Sequence, residues 1–165
     1  MRKLLVSVSV LLIALGLLGC RVFYSSFPTP TVIPTQAAQT AQRMPKLTGN
    51  WQIRMTQSGG FAGVSRRLEI SSSGEMTIID ERSKKQRASQ LPPDMFAMLK
   101  EMVASTIYHP PTKLLMCEDC FVFELKIENG TEQFQVQIDE LNLPNSGLET
   151  LIGFLEKLLN SSNNQ

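Results

Sequence analysis

The chain has 165 residues, with 16 basic side chains against 15 acidic ones and a formal net charge of +1. Setting aside residues 1–19, which hold Arg2 and Lys3, leaves 14 basic against 15 acidic, a net of −1. That balance excludes the clearly basic face on which nucleic-acid binding relies, and 42% hydrophobic content is that of an ordinary globular domain.

Arg2 and Lys3 precede an apolar run from Leu4 to Gly19 that closes as Leu17-Leu18-Gly19-Cys20. A cationic start, an apolar stretch and a small residue before the cut make a secretory signal. The run is shorter than the ~20 residues a spanning helix needs, although an uncleaved membrane anchor is the alternative. A cysteine directly after Leu-x-Gly resembles the lipobox of bacterial lipoproteins. That resemblance implies that Cys20 is diacylated and becomes the mature N-terminus. The protein would then sit outside the cytoplasm, lipid-anchored to the cell membrane or the outer membrane.

Residues 20–45 read as the lipidated cysteine and a flexible tether. Pro28, Pro30, Pro34 and the run Thr35–Gln42 carry breakers and polar residues without apolar periodicity. A short helix through Gln36–Arg43 is the alternative. The remainder, 46–160, holds about 115 residues, enough for one self-sufficient core, and 161–165 is a polar tail.

From Leu47 the pattern has period two. Trp51, Ile53 and Met55 alternate with polar residues; Val64, Leu68 and Ile70 share a second parity that only Arg66 breaks; Met76, Ile78 and Ile79 begin a third strand after the turn Ser71–Gly74. Helical spacing follows Leu91-Pro92-Pro93-Asp94, with Phe96, Leu99, Val103 and Ile107 in one stripe and Met95, Met98 and Met102 as core filling. His109-Pro110-Pro111 ends it.

Phe121, Phe123, Leu125 and Ile127 then face Phe134, Val136 and Ile138 across Asn129-Gly130, the preferred pair for a two-residue type I′ hairpin. Such a turn pairs Leu125 with Phe134, Phe123 with Val136 and Phe121 with Ile138. A last helix opens at Ser146-Gly147-Leu148-Glu149, a capping-box pattern, and carries Leu148, Leu151, Ile152, Leu155, Leu158 and Leu159. The predicted fold is α+β: one antiparallel sheet in βββαββα order, with two helices packed on one face.

Catalysis finds little support. His109 is the only histidine, reads as a surface or capping group, and has no serine or carboxylate at a diagnostic spacing. Phosphate-loop, zinc-peptidase and nucleophile-elbow motifs are absent from the sequence. No cofactor and no metal site is expected. Cys117 and Cys120 form an even pair once Cys20 is set aside. A four-ligand zinc site would have only His109 to add, and a thioredoxin-type pair wants a helix rather than a strand after it. A short structural disulfide is the reading preferred for Cys117 and Cys120. Arg82, Lys84, Lys85 and Arg87 read as a solvated basic loop, or as a contact for anionic lipid headgroups.

The remaining motif is Ser58-Gly59-Gly60-Phe61-Ala62-Gly63. Glycines permit positive φ and close backbone approach, so a flanked Phe61 is either held outward as an anchor or folded back onto the core. This motif, with Arg66-Arg67, Leu91-Pro92, Asp119-Cys120-Phe121, Asn129-Gly130 and Leu143-Pro144, resembles the emfourin family over residues 51–159. Emfourins are small proteinaceous inhibitors of thermolysin-like zinc metallopeptidases, typified by the protealysin inhibitor. The resemblance implies a non-enzymatic inhibitor whose partner is a secreted or periplasmic metallopeptidase, with Gly59, Gly60, Phe61, Ala62 and Gly63 as the contact. A non-inhibitory envelope-binding module using the same loop is the alternative. The signal, the tether and Cys117/Cys120 depart from the family pattern.

Overall fold

The computed structural model describes residues 40–113 and 115–161. The residues read as signal, Cys20, most of those read as tether and the end of those read as tail lie outside the described residues. The elements in chain order are β1 (Gln42–Arg43), β2 (Gln52–Gly59), β3 (Val64–Ser71), β4 (Glu75–Asp80), β5 (Lys85–Gln90), α1 (Pro93–Ser105), β6 (Ile107–Tyr108), β7 (Phe121–Glu128), β8 (Gln133–Asp139) and α2 (Glu149–Ser161). The main sheet has six strands in the order β5-β4-β3-β2-β7-β8, every neighbour antiparallel. β1 and β6 form a separate two-stranded ladder.

The α+β class and the strands-then-helix order are those expected. Alternation places Ile53, Met55, Leu68, Ile70, Phe123, Leu125 and Ile127 in one buried layer with Leu99 and Val103 of α1 and the α2 stripe from Leu151 to Leu159. Trp51 stacks on Phe96 with ring centroids 5.6 Å apart. The opposite sheet face is polar. There Arg54 and Arg67 both reach Glu69, and Arg67 also pairs with Glu81, which meets Lys84.

Several details differ from the sequence reading. Lys85–Gln90 is a strand rather than a loop; all six of its side chains are exposed, so its backbone pairs with β4 without any apolar alternation. The β7–β8 hairpin closes through a four-residue loop, Asn129–Glu132, which pairs Ile127 with Phe134, Leu125 with Val136 and Phe123 with Ile138. The cause is Asn129, whose side-chain oxygen accepts the Thr131 and Glu132 amides while its own amide donates to the Glu132 carbonyl. The shift is two residues, so parity holds and each side chain keeps its face.

α1 stops at Ser105, and Ile107 leaves the helical stripe for β6, where it is exposed; Met98 is exposed too. α2 begins at Glu149 rather than just after Ser146, because Gly147 has a φ of +79°, outside the helical region. Ser146 instead accepts the Leu148 amide, and Glu149 accepts the Asn145 amide. At its other end the segment read as tether joins the fold: Gln42–Arg43 pairs with Ile107–Tyr108, and Met44 is buried.

Candidate functional site

β2 and β3 pair up to Gly59 and Val64, which leaves Gly60-Phe61-Ala62-Gly63 as the turn. The Gly63 amide donates to the Gly60 carbonyl at 2.9 Å. Gly59, Gly60 and Gly63 all have positive φ, at 98°, 67° and 57°. Two of them are also sterically required. A Cβ on Gly59 would lie 2.6 Å from the Cys120 carbonyl oxygen, and one on Gly60 would lie 2.7 Å from the Phe121 ring. The hairpin end therefore lies flat against the start of β7, where the Gly60 amide donates to the Cys120 carbonyl at 3.1 Å.

Phe61 is 99% exposed, so the loop projects it instead of burying it. Arg82, from the β4–β5 turn, donates through Nη1 to the carbonyls of Ala62 at 2.7 Å and Gly63 at 3.2 Å. Asp80 holds that turn by accepting the amides of Arg82 and Ser83, and those bonds, the Ser83 amide foremost, keep its carboxyl below the usual range. The Gly60, Ala62 and Gly63 carbonyls are thus all occupied. None of Gly59–Gly63 carries a metal-ligating side chain. Among the described residues no group of three or more His, Cys, Asp or Glu side chains is placed to hold a metal ion.

Cys117 and Cys120 are joined as a disulfide beside this loop. Met116, next to it, is 95% exposed. Leu115 is held by Asn142, whose side chain accepts the Leu115 amide and donates to its carbonyl at 2.9 Å each. Phe61, Leu115, Met116 and Leu141 make four of the six exposed large apolar side chains among the described residues. All four sit at the end of the sheet where β2 and β8 finish and β7 begins.

Behind the loop, on the helix-covered face, lies a polar cluster. Arg66 donates to the side-chain oxygens of Gln57 at 2.8 Å and Asn160 at 3.0 Å, and Gln57 donates to Glu156 at 2.9 Å. This explains why Arg66 interrupts an otherwise apolar parity: it meets α2 through polar partners. Burial, reinforced by the nearby Glu140 and opposed by Arg66, raises the Glu156 carboxyl above its ordinary value.

The five loop residues singled out in the sequence are thus brought together at one tip, with Cys117 and Cys120 against them. Cys20 lies outside the described residues. The sequence reading missed Arg82, Phe121 and Met116 as parts of this site. Arg82 stood in a run of basic residues with nothing to mark it, whereas Met116, apolar and beside the cysteine pair, carried a usable signal. No protein-family model matches this chain, and no curated protein matches it either.

Proposed function

We propose that this chain is a lipid-anchored, extracytoplasmic inhibitor of a thermolysin-like zinc metallopeptidase, as its resemblance to the emfourins implies. The observation that carries the reading is Phe61, fully solvent-exposed on a loop whose backbone is fixed by Cys120 on one side and Arg82 on the other. An exposed aromatic on a rigid turn has no folding role to explain it, and rigidity lowers the entropy lost on binding. Thermolysin-like enzymes resemble one another in favouring a bulky apolar side chain just beyond the scissile bond. Phe61 is the group that would fill that position, by occupancy and not by ligation of the zinc. Cys20 would carry the acyl chains, and residues 21–41 would give the domain its reach.

The test is titration of the full-length chain, in detergent, against thermolysin-like peptidases. Burial of a Phe side chain is worth ~1.5–3 kcal/mol, so Phe61→Ala should weaken inhibition by roughly one to two orders of magnitude and leave the melting temperature unchanged. Complete absence of inhibition would overturn the reading. Binding without inhibition would favour the envelope module. Labelled fatty acid should enter the wild type and be lost in Cys20→Ala.

A further inference from the structure

The main sheet has two outer strands, and they differ in kind. β5 carries Lys85 and Arg87, charged side chains of the type that discourage edge pairing. β8 reads Gln-Phe-Gln-Val-Gln-Ile-Asp, with no charge before its last residue and no proline or glycine. The Glu140 amide donates to the Phe121 carbonyl, and the Asn129 amide to the Glu132 carbonyl. These bonds set the phase of the β7–β8 ladder. Phe134, Val136 and Ile138 turn their backbone groups toward β7, while Gln133, Gln135 and Gln137 turn theirs outward. Among the described residues nothing accepts or donates to those outward groups.

We propose that the free edge of β8 pairs with the β8 edge of a second copy of this chain, joining two six-stranded sheets into one. The strand is self-complementary in an antiparallel register centred on Val136. Gln135 then faces Gln137 of the other copy in a hydrogen-bonded pair and Phe134 faces Ile138, while Gln133 faces Asp139, whose carbonyl is already taken by the Asn142 and Leu143 amides, so the two Gln135–Gln137 pairs carry the ladder. No like charges meet in that register, each apolar side chain meets an apolar one, and each outward Gln meets a polar one. A two-fold axis normal to the sheet also keeps both helical layers on the same face. One strand pair buries less than the ~1,200 Å² of a standard interface, so the dimer forms in a concentration-dependent equilibrium. It leaves the Phe61 loop free, because that loop joins β2 to β3 in the sheet interior order.

The experiment is a concentration series of the full-length chain by analytical ultracentrifugation in density-matched detergent, with amide exchange read alongside. Self-association should rise with concentration, and the Gln135 and Gln137 amides should become protected with it. Gln135 and Gln137 are exposed, and the Gln135 side chain donates to Glu124 at 2.9 Å, a contact that Gln135→Lys keeps and Gln135→Glu loses, so the melting temperature of each variant is read alongside. Gln135→Lys with Gln137→Lys puts like charges opposite one another twice and should weaken the dimer about tenfold. Gln135→Glu with Gln137→Lys puts opposite charges there and should dimerise at least as well as the parent. A chain monomeric at every concentration, a dimer equally strong in both variants, or one weakened by both would overturn the proposal. None of these outcomes depends on inhibition, so the two readings fail separately.

Discussion

The Gly60 amide donates to the Cys120 carbonyl oxygen at 3.1 Å, so one hydrogen bond couples the glycine loop to the disulfide. Reduction should therefore act on the Phe61 loop as well as on the cysteines. A ring closed across a sequence separation of three contributes about 2 kcal/mol in the chain-entropy account. Reduced protein should melt several degrees lower and still fold, and its Gly60 amide should exchange faster. An unchanged Gly60 exchange rate would show that the two loops are independent.

Gly59 and Gly63 make a matched pair of alanine substitutions. Both have positive φ, but Gly59 faces the Cys120 carbonyl at 2.6 Å from an ideal Cβ, whereas at Gly63 the nearest atom is the flexible end of Arg82 at 3.9 Å. Gly63→Ala should cost about 1 kcal/mol, the left-handed penalty alone. Gly59→Ala adds a backbone clash and should cost about 2 kcal/mol or more. Chemical denaturation of both variants gives the comparison, and equal losses would count against the close approach of the loop to β7.

The positions of the strands around the core were legible because alternation records burial directly. Trp51, Ile53 and Met55 alternate in the sequence for the same reason that they are buried in the fold. β5 was not legible, since a strand with six exposed side chains leaves no apolar record. The register of β7 and β8 escaped by two residues because parity cannot distinguish shifts of even number, and Asn129 decided it through its side chain. At the site, the Gly-Gly-Phe-Ala-Gly run marked the loop and left the direction of Phe61 open. Its outward placement depends on Cys120 and Arg82, which are distant in sequence.

Arg82 fixes the far side of the loop by two bonds to backbone carbonyls. Both partners are exposed, so Arg82→Ala should change the melting temperature little. The loop would gain freedom, and any affinity that depends on its rigidity should fall. Arg82→Lys should recover only part of that affinity, because a single ammonium on a flexible stem lacks the planar geometry of a guanidinium. Asp80→Ala should act in the same direction by loosening the turn that carries Arg82. Exchange rates of the loop amides in the three variants provide the readout.

Glu156 makes the polar cluster sensitive to pH. Its carboxyl is raised in the folded protein, chiefly by burial and then by Glu140. The folded state thus binds the proton more tightly than the unfolded chain does. Where the unfolded state binds fewer protons, stability falls as pH rises. The group therefore destabilises the fold at neutral pH, and that cost is relieved as pH falls through its folded value toward the ordinary carboxylate range. Glu156→Gln removes the charge and keeps an oxygen for the Gln57 amide, which now donates to Glu156 at 2.9 Å. The melting temperature of Glu156→Gln relative to wild type should accordingly be highest at neutral pH and shrink on acidification. Melting curves from pH 4 to pH 8 would test it, and a difference that grows toward acid would reverse the sign assigned here to burial.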